Sequence, residues 1–416
     1  MKNKRILLLT LIFAIPLVVI FSQCLTSKSD KPDPRGDTFA GSATCIKCHK
    51  DVYNNYVHTA HFTSSRPATI HNINGNFNNN ANTFVFDKDL KVVMEKRDSG
   101  LYQVTYFKGK QTRAERFDIV FGGVKAETYL YWKGNELFQL PMSYFSGLSS
   151  WTNSPGYDFN HADYGRMIGT RCFECHSSYI KELPSQNQNI IRTIEFDKSS
   201  VMLGIDCERC HGPAASHVDF HLANPEEKKA KYITTYASLT RLQKMDMCAV
   251  CHSGNKSRMT RSVFDFKPGN ALANFKETEI FHRPLDSAKM DVHGNQAQLL
   301  ASSKCYIMSK MDCATCHNVH VNDRQSQVLY SARCMKCHTE SNHNFCKMAP
   351  TLGTIIKTNC IDCHMPAKPS NVISVETSGK GTAIPYLVRN HHIAVYNDVS
   401  QAVINNLKEN GKLLPK

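Results

Sequence analysis

Apolar and polar residues alternate along residues 83–123, which read TFVFDKDLKVVMEKRDSGLYQVTYFKGKQTRAERFDIVFGG. Turn-forming residues interrupt the alternation at Asp98-Ser99-Gly100 and at Lys108-Gly109. A period of two residues broken by such turns is typical of antiparallel strands joined by hairpins. The pattern therefore predicts a small antiparallel β-rich unit near residues 82–150.

The first 24 residues have the pattern of an export signal. Lys2, Lys4 and Arg5 precede an apolar run from Ile6 to Phe21, and Cys24 follows it closely. This run is short for a membrane span and suits a signal peptide of the bacterial lipoprotein type, in which Cys24 would be lipidated. The alternatives are a removed signal peptide and an uncleaved anchor. All three predict an extracytoplasmic protein, at the periplasm or cell surface, and the polar residues 25–44 are then a tether.

The composition points to a cofactor. The chain has 416 residues, of which 21% are charged and 41% hydrophobic, and these fractions are typical of a globular protein. Its 17 Cys and 19 His are unusually many. A chain of this length does not need so many disulfides to hold a core, so we attribute the cysteines to cofactor attachment.

Fourteen of the cysteines form seven C-x-x-C-H motifs. In chain order, motifs 1 to 7 are Cys45/Cys48/His49, Cys172/Cys175/His176, Cys207/Cys210/His211, Cys248/Cys251/His252, Cys313/Cys316/His317, Cys334/Cys337/His338 and Cys360/Cys363/His364. Two cysteines about one helical turn apart can bond two vinyl groups of one porphyrin, and the next residue then supplies the proximal iron ligand. The alternative, zinc, does not require a histidine after each pair. We therefore predict seven covalently bound haem c groups.

The spacing of the motifs suggests how the chain is organised. We divide it into a signal peptide (1–24), a tether (25–44), a unit with the first haem and the β-rich stretch (45–165), and a six-haem domain with a C-terminal tail (166–416). Porphyrins would form much of the core of the haem-dense part. The expected fold class is mainly α, with extensive ordered loops around the haems, plus the small β-rich unit.

The formal net charge of +14 is interpreted in the light of the haems. Each haem would add about two propionate carboxylates, against which lysine and arginine are commonly set. The basic excess therefore indicates haem compensation first and a docking patch for an acidic partner second. Nucleic-acid binding is the weakest interpretation.

Three cysteines lie outside the motifs: Cys24, Cys305 and Cys346. Lipidation would use Cys24. For Cys305 and Cys346 the alternatives are one disulfide, two free thiols, or an axial ligand to a haem.

Twelve histidines remain for the distal iron positions, enough for bis-histidine ligation throughout. Such haems have no open coordination site and suit electron transfer. Because His320 follows His317 so closely, we expect it to ligate a neighbouring haem. His161, His293 and His343 are candidate distal ligands because they lie near motifs in loops. A surface or hydrogen-bonding role is expected for His58, His71, His221, His282 and His391.

Four segments, GSATCIKCHKDVYNNYVHTAHFTSSRP, GIDCERCHGPAASHV, CATCHNVH and CIDCHMP, resemble a bacterial multihaem cytochrome c family. Its lineage includes a tetrahaem electron carrier, hydroxylamine oxidoreductase and pentahaem nitrite reductase. The resemblance implies that His61, His217 and His320 are distal ligands. It implies the same for His392, which follows the last motif. The chain lacks the C-x-x-C-K motif of the nitrite reductases, and its seven motifs differ from the eight haems of hydroxylamine oxidoreductase.

Three functions follow as hypotheses. The favoured one is an electron carrier between respiratory partners, either other cytochromes or a membrane quinol-oxidising complex. The second is an oxidoreductase acting on a small nitrogen or sulfur compound at one five-coordinate haem. The third is a docking subunit of a respiratory complex. No catalytic residue is assigned.

Overall fold

The computed structural model describes residues 32–184, 193–254, 257–277, 286–323, 326–342, 344–379 and 383–409. The export signal, Cys24 and the candidate ligand His343 lie outside the described residues. Among the residues described, no helix combines the length and the apolar character needed to cross a bilayer.

Strands form four antiparallel sheets in the described part of the chain. The strands are β1 Ser65–Pro67, β2 Thr83–Val85, β3 Leu90–Arg97, β4 Gly100–Phe107, β5 Lys110–Arg116, β6 Ile119–Gly122, β7 Ala126–Lys133, β8 Glu136–Gln139, β9 Met142–Phe145, β10 Ser150–Asn153, β11 Ser177–Glu182, β12 Phe196–Leu203, β13 Ala367–Val375 and β14 Ile384–Arg389. The first sheet contains β1, β6, β7, β9 and β10, and β8 also pairs with β7. The second sheet contains β2–β5, and the other two sheets are the strand pairs β11–β12 and β13–β14.

Most helices are only one to three turns long. They are α1 Ser42–Cys45, α2 Lys50–Tyr56, α3 Thr170–His176, α4 Cys207–His211, α5 Ala215–Ala223, α6 Arg241–His252, α7 Gln296–Ala301, α8 Lys304–Ile307, α9 Gln327–Cys334, α10 Ala349–Leu352, α11 Ile361–His364 and α12 Asn397–Glu409. Short 3₁₀ segments cover Tyr236–Ser238, Val263–Asp265, Leu272–Asn274, Ser287–Lys289, Cys313–Thr315 and Gly353–Lys357.

The expected fold class was wrong: the protein is not mainly α. Helix accounts for 29% and strand for 25% of the structure. The reason is local. A C-x-x-C-H motif needs one helical turn, so the helices around the motifs stay short. The six-motif part, where we expected loops around the motifs, includes two pairs of antiparallel strands, β11 with β12 and β13 with β14. Strands also occupy the stretch where alternation predicted them, and they extend beyond it at both ends.

Alternation along β7 explains how the first sheet joins the two parts of the molecule. Tyr129 and Tyr131 belong to the core between the two large sheets, with Phe84, Met94 and Trp151. Successive side chains of a strand point to opposite faces, and Leu130 accordingly packs on the other face.

On that second face, Leu130 joins a core with Phe121, Phe173 and Phe196. Phe173 lies in α3, between the two cysteines of motif 2, and Phe196 begins the β12 strand. One face of the sheet therefore closes the β-unit while the other forms a wall beside motif 2. The hairpin β13–β14 also contacts this sheet, because Tyr386 packs against Phe145 with ring centroids 5.2 Å apart.

Candidate haem-binding site

Each motif forms a helical turn that brings its histidine back above its first cysteine. In motif 1 the backbone N–H of His49 donates to the Cys45 carbonyl at 2.8 Å. The same bond recurs in motifs 5, 6 and 7, and motifs 2, 3 and 4 lie in or at the end of α3, α4 and α6. Because 3.6 residues make one turn, both cysteines and the histidine share one side of the helix. The local geometry is that required to bond a porphyrin twice and its iron once.

All seven motifs line one continuous cavity of about 4030 Å³. Ordinary small-molecule pockets measure about 300–1,000 Å³, so this cavity is several times larger than a pocket for one small ligand. Every cysteine and histidine of the seven motifs contributes to its wall. The sequence, in which these motifs are spread from residue 45 to 364, does not show that they converge on one space.

Large apolar side chains at the cavity wall are exposed in the polypeptide by itself. Ile307 is 64% exposed, Met308 76% and Val395 69%, and all three line the cavity. Soluble proteins rarely leave such surfaces uncovered, and porphyrin faces are apolar. The wall therefore fits haem. Among the described residues, no group of three or more His, Cys, Asp or Glu is arranged to hold a metal ion by itself.

The motifs contact one another through their cysteines. The Cys45 thiol of motif 1 hydrogen-bonds to Cys207 of motif 3, which raises the pKa of Cys45 and lowers that of Cys207. Equivalent thiol contacts join motifs 2 and 4, motifs 4 and 5, and motifs 6 and 7, through the pairs Cys175–Cys251, Cys248–Cys313 and Cys334–Cys360.

Two further approaches complete the order of the motifs in space. Cys210 of motif 3 lies close enough to Cys248 of motif 4 to raise the pKa of that thiol. Cys316 of motif 5 has the same effect on Cys334 of motif 6. The motifs therefore run 1–3–4–5–6–7, and motif 2 adjoins motif 4 as a branch.

Among the described residues, four pairs of histidine rings face each other across the cavity. Each pair joins a motif histidine to a histidine from elsewhere in the chain, with ring centroids 6.0–6.5 Å apart: His49–His217, His61–His252, His211–His320 and His317–His391. The first, third and fourth pairs are nearly parallel, with interplanar angles of 15°, 8° and 25°, whereas His61 and His252 stand at 88°.

Six of the seven candidate distal histidines lie in the described part of the chain, and their positions relative to the motifs differ. His61, His217 and His320 stand in the facing pairs just described. His293 lines the cavity near His176. Burial is the largest cause that lowers the pKa of His176, and the nearby His293 lowers it further. His392 also lines the cavity, but its ring contacts Tyr396.

His161 lies outside the cavity wall. Its side chain is 60% exposed and sits 3.6 Å from Asp158. His343 lies outside the described residues.

The sequence analysis expected a surface or hydrogen-bonding role for His391 and a distal-ligand role for His392. In the structure it is the His391 ring that faces His317, with ring centroids 6.3 Å apart. Residues 390–396 follow a strand and are not helical, and adjacent side chains of extended backbone point to opposite sides. One histidine of the pair can therefore face a given motif, and no spacing rule in the sequence tells which. His221, also set aside, lines the cavity with its ring 4.6 Å from that of His217.

Hydrogen bonds orient several of these rings. The Nδ1–H groups of His217, His364 and His391 donate to the carbonyls of Lys231, Ala394 and Arg389 at 2.8, 2.9 and 3.2 Å. Carbonyl oxygens accept hydrogen bonds and do not donate them, so the proton is on Nδ1 and the Nε2 lone pair is left for a metal.

Burial favours the neutral form of eight of the imidazoles that line the cavity. Desolvation is the largest cause that lowers the pKa of these eight: His176, His211, His252, His293, His317, His320, His391 and His392. The pKa of His391 falls to about 4. A neutral imidazole is the form that binds iron, so the protein environment favours ligation.

In the described part of the chain, the basic side chains of Lys276 and Arg35 are buried beside the motifs. Burial lowers the pKa of Lys276 to about 8, and its Nζ donates to the Gly254 carbonyl at 3.1 Å. Arg35, in the stretch predicted to be a tether, pairs with Asp33, Asp206 and Glu208 at 2.9, 2.8 and 3.2 Å. These ion pairs anchor the described part of that stretch to motif 3.

Cys305 and Cys346 are separate thiols in the structure, without a disulfide between them. Cys305 lies 3.6 Å from the Met311 sulfur. Both cysteines line the cavity.

Motif turns around a shared apolar cavity, with imidazoles facing each other across it, are the arrangement expected of a c-type cytochrome that carries several haems. Comparisons with known proteins agree. The family described as cytochrome c554 and c-prime matches residues 157–212, which include motifs 2 and 3. No curated protein matches the sequence.

One solved structure shares the fold, that of the outer cell wall cytochrome OcwA. The identity is 17% and the TM-score 0.50, over 90% of this chain and 82% of that chain. The family match is confined to the segment with motifs 2 and 3, and the likeness to this solved structure shows a shared fold.

Proposed function

We propose that the chain binds seven haem c groups, one at each motif, and conducts electrons between respiratory partners. The observation that carries this proposal is that all seven motifs line one cavity and adjoin one another there in the order 1–3–4–5–6–7, with motif 2 beside motif 4. Bound haem would supply an iron that alternates between the ferric and ferrous states. The chain's own residues would hold the porphyrins through the motif cysteines, present imidazole nitrogens to the iron and exclude water.

The facing histidine pairs support bis-histidine ligation. With metal–nitrogen bonds of about 2.0–2.1 Å and ring nitrogens about 1.1 Å from the ring centre, two imidazoles on one metal have centroids about 6.2–6.4 Å apart. The observed spacings of 6.0–6.5 Å bracket this range. We assign His217, His320, His61 and His391 as the distal ligands of motifs 1, 3, 4 and 5.

The order of the motifs supports an electron path. Haems at motifs 1, 3, 4, 5, 6 and 7 would follow one another, and the haem at motif 2 would branch from that at motif 4. The branch reaches the wall formed by the β-unit, where Phe121 stacks on His176 with centroids 5.0 Å apart. Different burial and ligation at each motif would stagger the reduction potentials.

The location and partners are also part of the proposal. The export signal, and the likeness of the fold to a protein titled an outer cell wall cytochrome, support an extracytoplasmic position. We propose a membrane-anchored lipoprotein, lipidated at Cys24. Its partners would be other cytochromes or a membrane quinol-oxidising complex.

The test is a haem count combined with spectroscopy on the exported protein. We expect the mass of seven haems per chain and, by EPR of the oxidised protein, predominantly low-spin iron. A redox titration should resolve several potentials. Seven single variants, each with the first cysteine of one motif replaced by alanine, should each lose the haem of that motif. A haem count clearly below seven in the wild-type protein, or a variant that loses no haem, would contradict the proposal.

A second function, that of an oxidoreductase, is favoured by one observation. In the described ranges, the rings of His176, His338 and His364 do not stand in a facing pair with another imidazole. A five-coordinate haem at one of these motifs would bind a small nitrogen or sulfur compound. A high-spin EPR signal that shifts with nitrite or hydroxylamine, together with turnover, would establish this function in place of the carrier.

A further inference from the structure

Lys276 is a lysine whose side chain is wholly enclosed by protein. None of its surface is exposed, and it does not line the cavity that we assign to the haems. Its Nζ donates to the carbonyl of Gly254 at 3.1 Å, and Gly254 does line the cavity. The ammonium therefore lies behind the cavity wall, and its enclosure does not depend on whether the cavity is filled.

This ammonium stands at the contact between motifs 2 and 4. It is close enough to Cys175 and Cys251, the two thiols that join these motifs, for both to act electrostatically on its pKa. Their sulfurs would be the thioether links to two different porphyrins. Motif 4 is also the junction of the path, because motifs 2, 3 and 5 all adjoin it. One buried charge therefore adjoins two motifs at this junction.

No carboxylate of the described residues lies within ion-pair distance of the Lys276 Nζ. Glu174, a buried acid nearby, pairs instead with Arg171 at 3.1 Å and accepts from the Ser262 hydroxyl at 2.8 Å. Burial, helped by the charge of Arg171, lowers the pKa of Lys276 to about 8, so the ammonium is still charged at neutral pH. Lysine is almost never fully buried without an anionic partner, because removing its charge from water is costly. An electron on a nearby iron would offset that cost.

We propose that Lys276 is a potential-setting residue, whose buried ammonium raises the reduction potentials of the haems at motifs 2 and 4 and makes this junction the place where electrons collect. The inference rests on the proposed electron-carrier function and adds which haems are reduced first. Reduction adds one negative charge at iron, and a nearby positive charge stabilises that state relative to the ferric one. Because protein surrounds the ammonium, salt and water screen this effect less than that of a surface lysine.

The facing histidines give the haem of motif 4 a spectroscopic label. His61 and His252 stand at 88°, whereas the other facing pairs described above are nearly parallel. Perpendicular axial imidazoles leave two d orbitals of the iron nearly equal in energy, which gives a ferric low-spin EPR signal with one unusually large g value. The loss of this signal during reduction therefore reports the potential of this haem. His61→Ala should remove the signal and so establish its origin.

The test is an EPR-monitored redox titration of the haem-loaded protein at neutral pH, with dithionite as the reductant. Each electron from dithionite converts one ferric iron to ferrous, dithionite is oxidised to sulfite, and no bond at iron forms or breaks. In the wild-type protein the perpendicular-ligand signal should disappear before the signals of the parallel pairs. Lys276→Met removes the charge and should lower the ferrous-to-ferric ratio of this haem about tenfold at a fixed potential, which is about 59 mV for one electron.

Two variants control for the change of side chain. Lys276→Arg keeps the positive charge and should keep the potential of this haem close to the wild-type value. Lys267→Met removes an exposed lysine that lies outside the cavity wall, and it should leave the potential unchanged. The haem content and the urea midpoint of each variant are measured in parallel, so that a shift in potential is compared only between folded, haem-loaded proteins.

Three results would overturn the assignment of Lys276. They are a perpendicular-ligand signal that disappears with or after the parallel ones in the wild type, a haem-loaded Lys276→Met protein with wild-type potentials, and an equal shift in Lys267→Met. If Lys276→Met does not fold, the order of reduction in the wild type decides the question. A wild-type protein that takes up no electrons from dithionite, or that contains no low-spin haem, would instead refute the carrier function itself.

Discussion

Replacement of His391 or of His392 by alanine distinguishes two neighbouring residues that the sequence treats alike. The ring of His391 faces His317 at 6.3 Å with an interplanar angle of 25°. That spacing matches the distance of about 6.2–6.4 Å expected for two imidazoles on one metal. The ring of His392 instead contacts Tyr396, whose hydroxyl is 3.0 Å from the His392 Nδ1.

The expected effect is a change at one haem. His391→Ala should leave the haem of motif 5 with His317 alone, so one of the seven haems, about a seventh of the low-spin signal, becomes high-spin. His392→Ala should leave the haem of motif 5 low-spin. Added imidazole should restore the low-spin spectrum of His391→Ala, and His391→Met should raise the potential of the affected haem, because a thioether ligand favours the ferrous state.

Spin-quantified EPR of the oxidised protein, with the haem content of each variant measured in parallel, decides the outcome. A His391→Ala protein with all haems still low-spin would refute the assignment of His391. The refutation would be stronger if His392→Ala instead gained a high-spin haem that added imidazole returned to low spin. If both variants gained one high-spin haem, the assignment of His391 would stand and His392 would be the ligand of a different haem.

Three further predictions concern stability. A Cβ at Gly75 would clash with the Trp151 ring, so Gly75→Ala should lower the unfolding free energy by about 1–3 kcal/mol. Gly147→Ala is the control, because a Cβ there meets no atom within 4 Å and should cost far less. Equal urea midpoints for the two variants would count against this packing. Arg35→Met leaves three carboxylates without their cation and should lower the unfolding free energy by about 3–5 kcal/mol. This loss should become smaller in acid, because protonation removes the charge of the carboxylates. A loss of unfolding free energy that is the same at pH 7 and pH 4 would argue for a packing role of Arg35. Burial lowers the pKa of eight cavity imidazoles, that of His391 to about 4, so as pH falls from about 6.5 toward 4 the unfolded chain binds protons that the folded chain does not. The unfolding free energy should therefore decrease through this window. An unfolding free energy that stays constant across it would show that these eight imidazoles are not held neutral by burial.

The sequence by itself determined the cofactor chemistry. Attachment through C-x-x-C-H is local, because both cysteines and the proximal histidine lie within about one helical turn. Alternation likewise located strands in the β-unit, because burial of one sheet face imposes a period of two. The alternation could not give the balance of helix and strand, because the strand pairs β11–β12 and β13–β14 depend on the side chains against which they pack.

Only the tertiary structure decided which histidine faces which motif and how the motifs follow one another. His61 comes after motif 1 yet faces His252 of motif 4, and His391 rather than its neighbour faces His317. Such pairs join distant segments across a shared cavity, and no spacing along the chain encodes them. The physical reason is that a distal ligand needs a position about 6 Å from its partner ring in space, and long-range packing alone fixes that position.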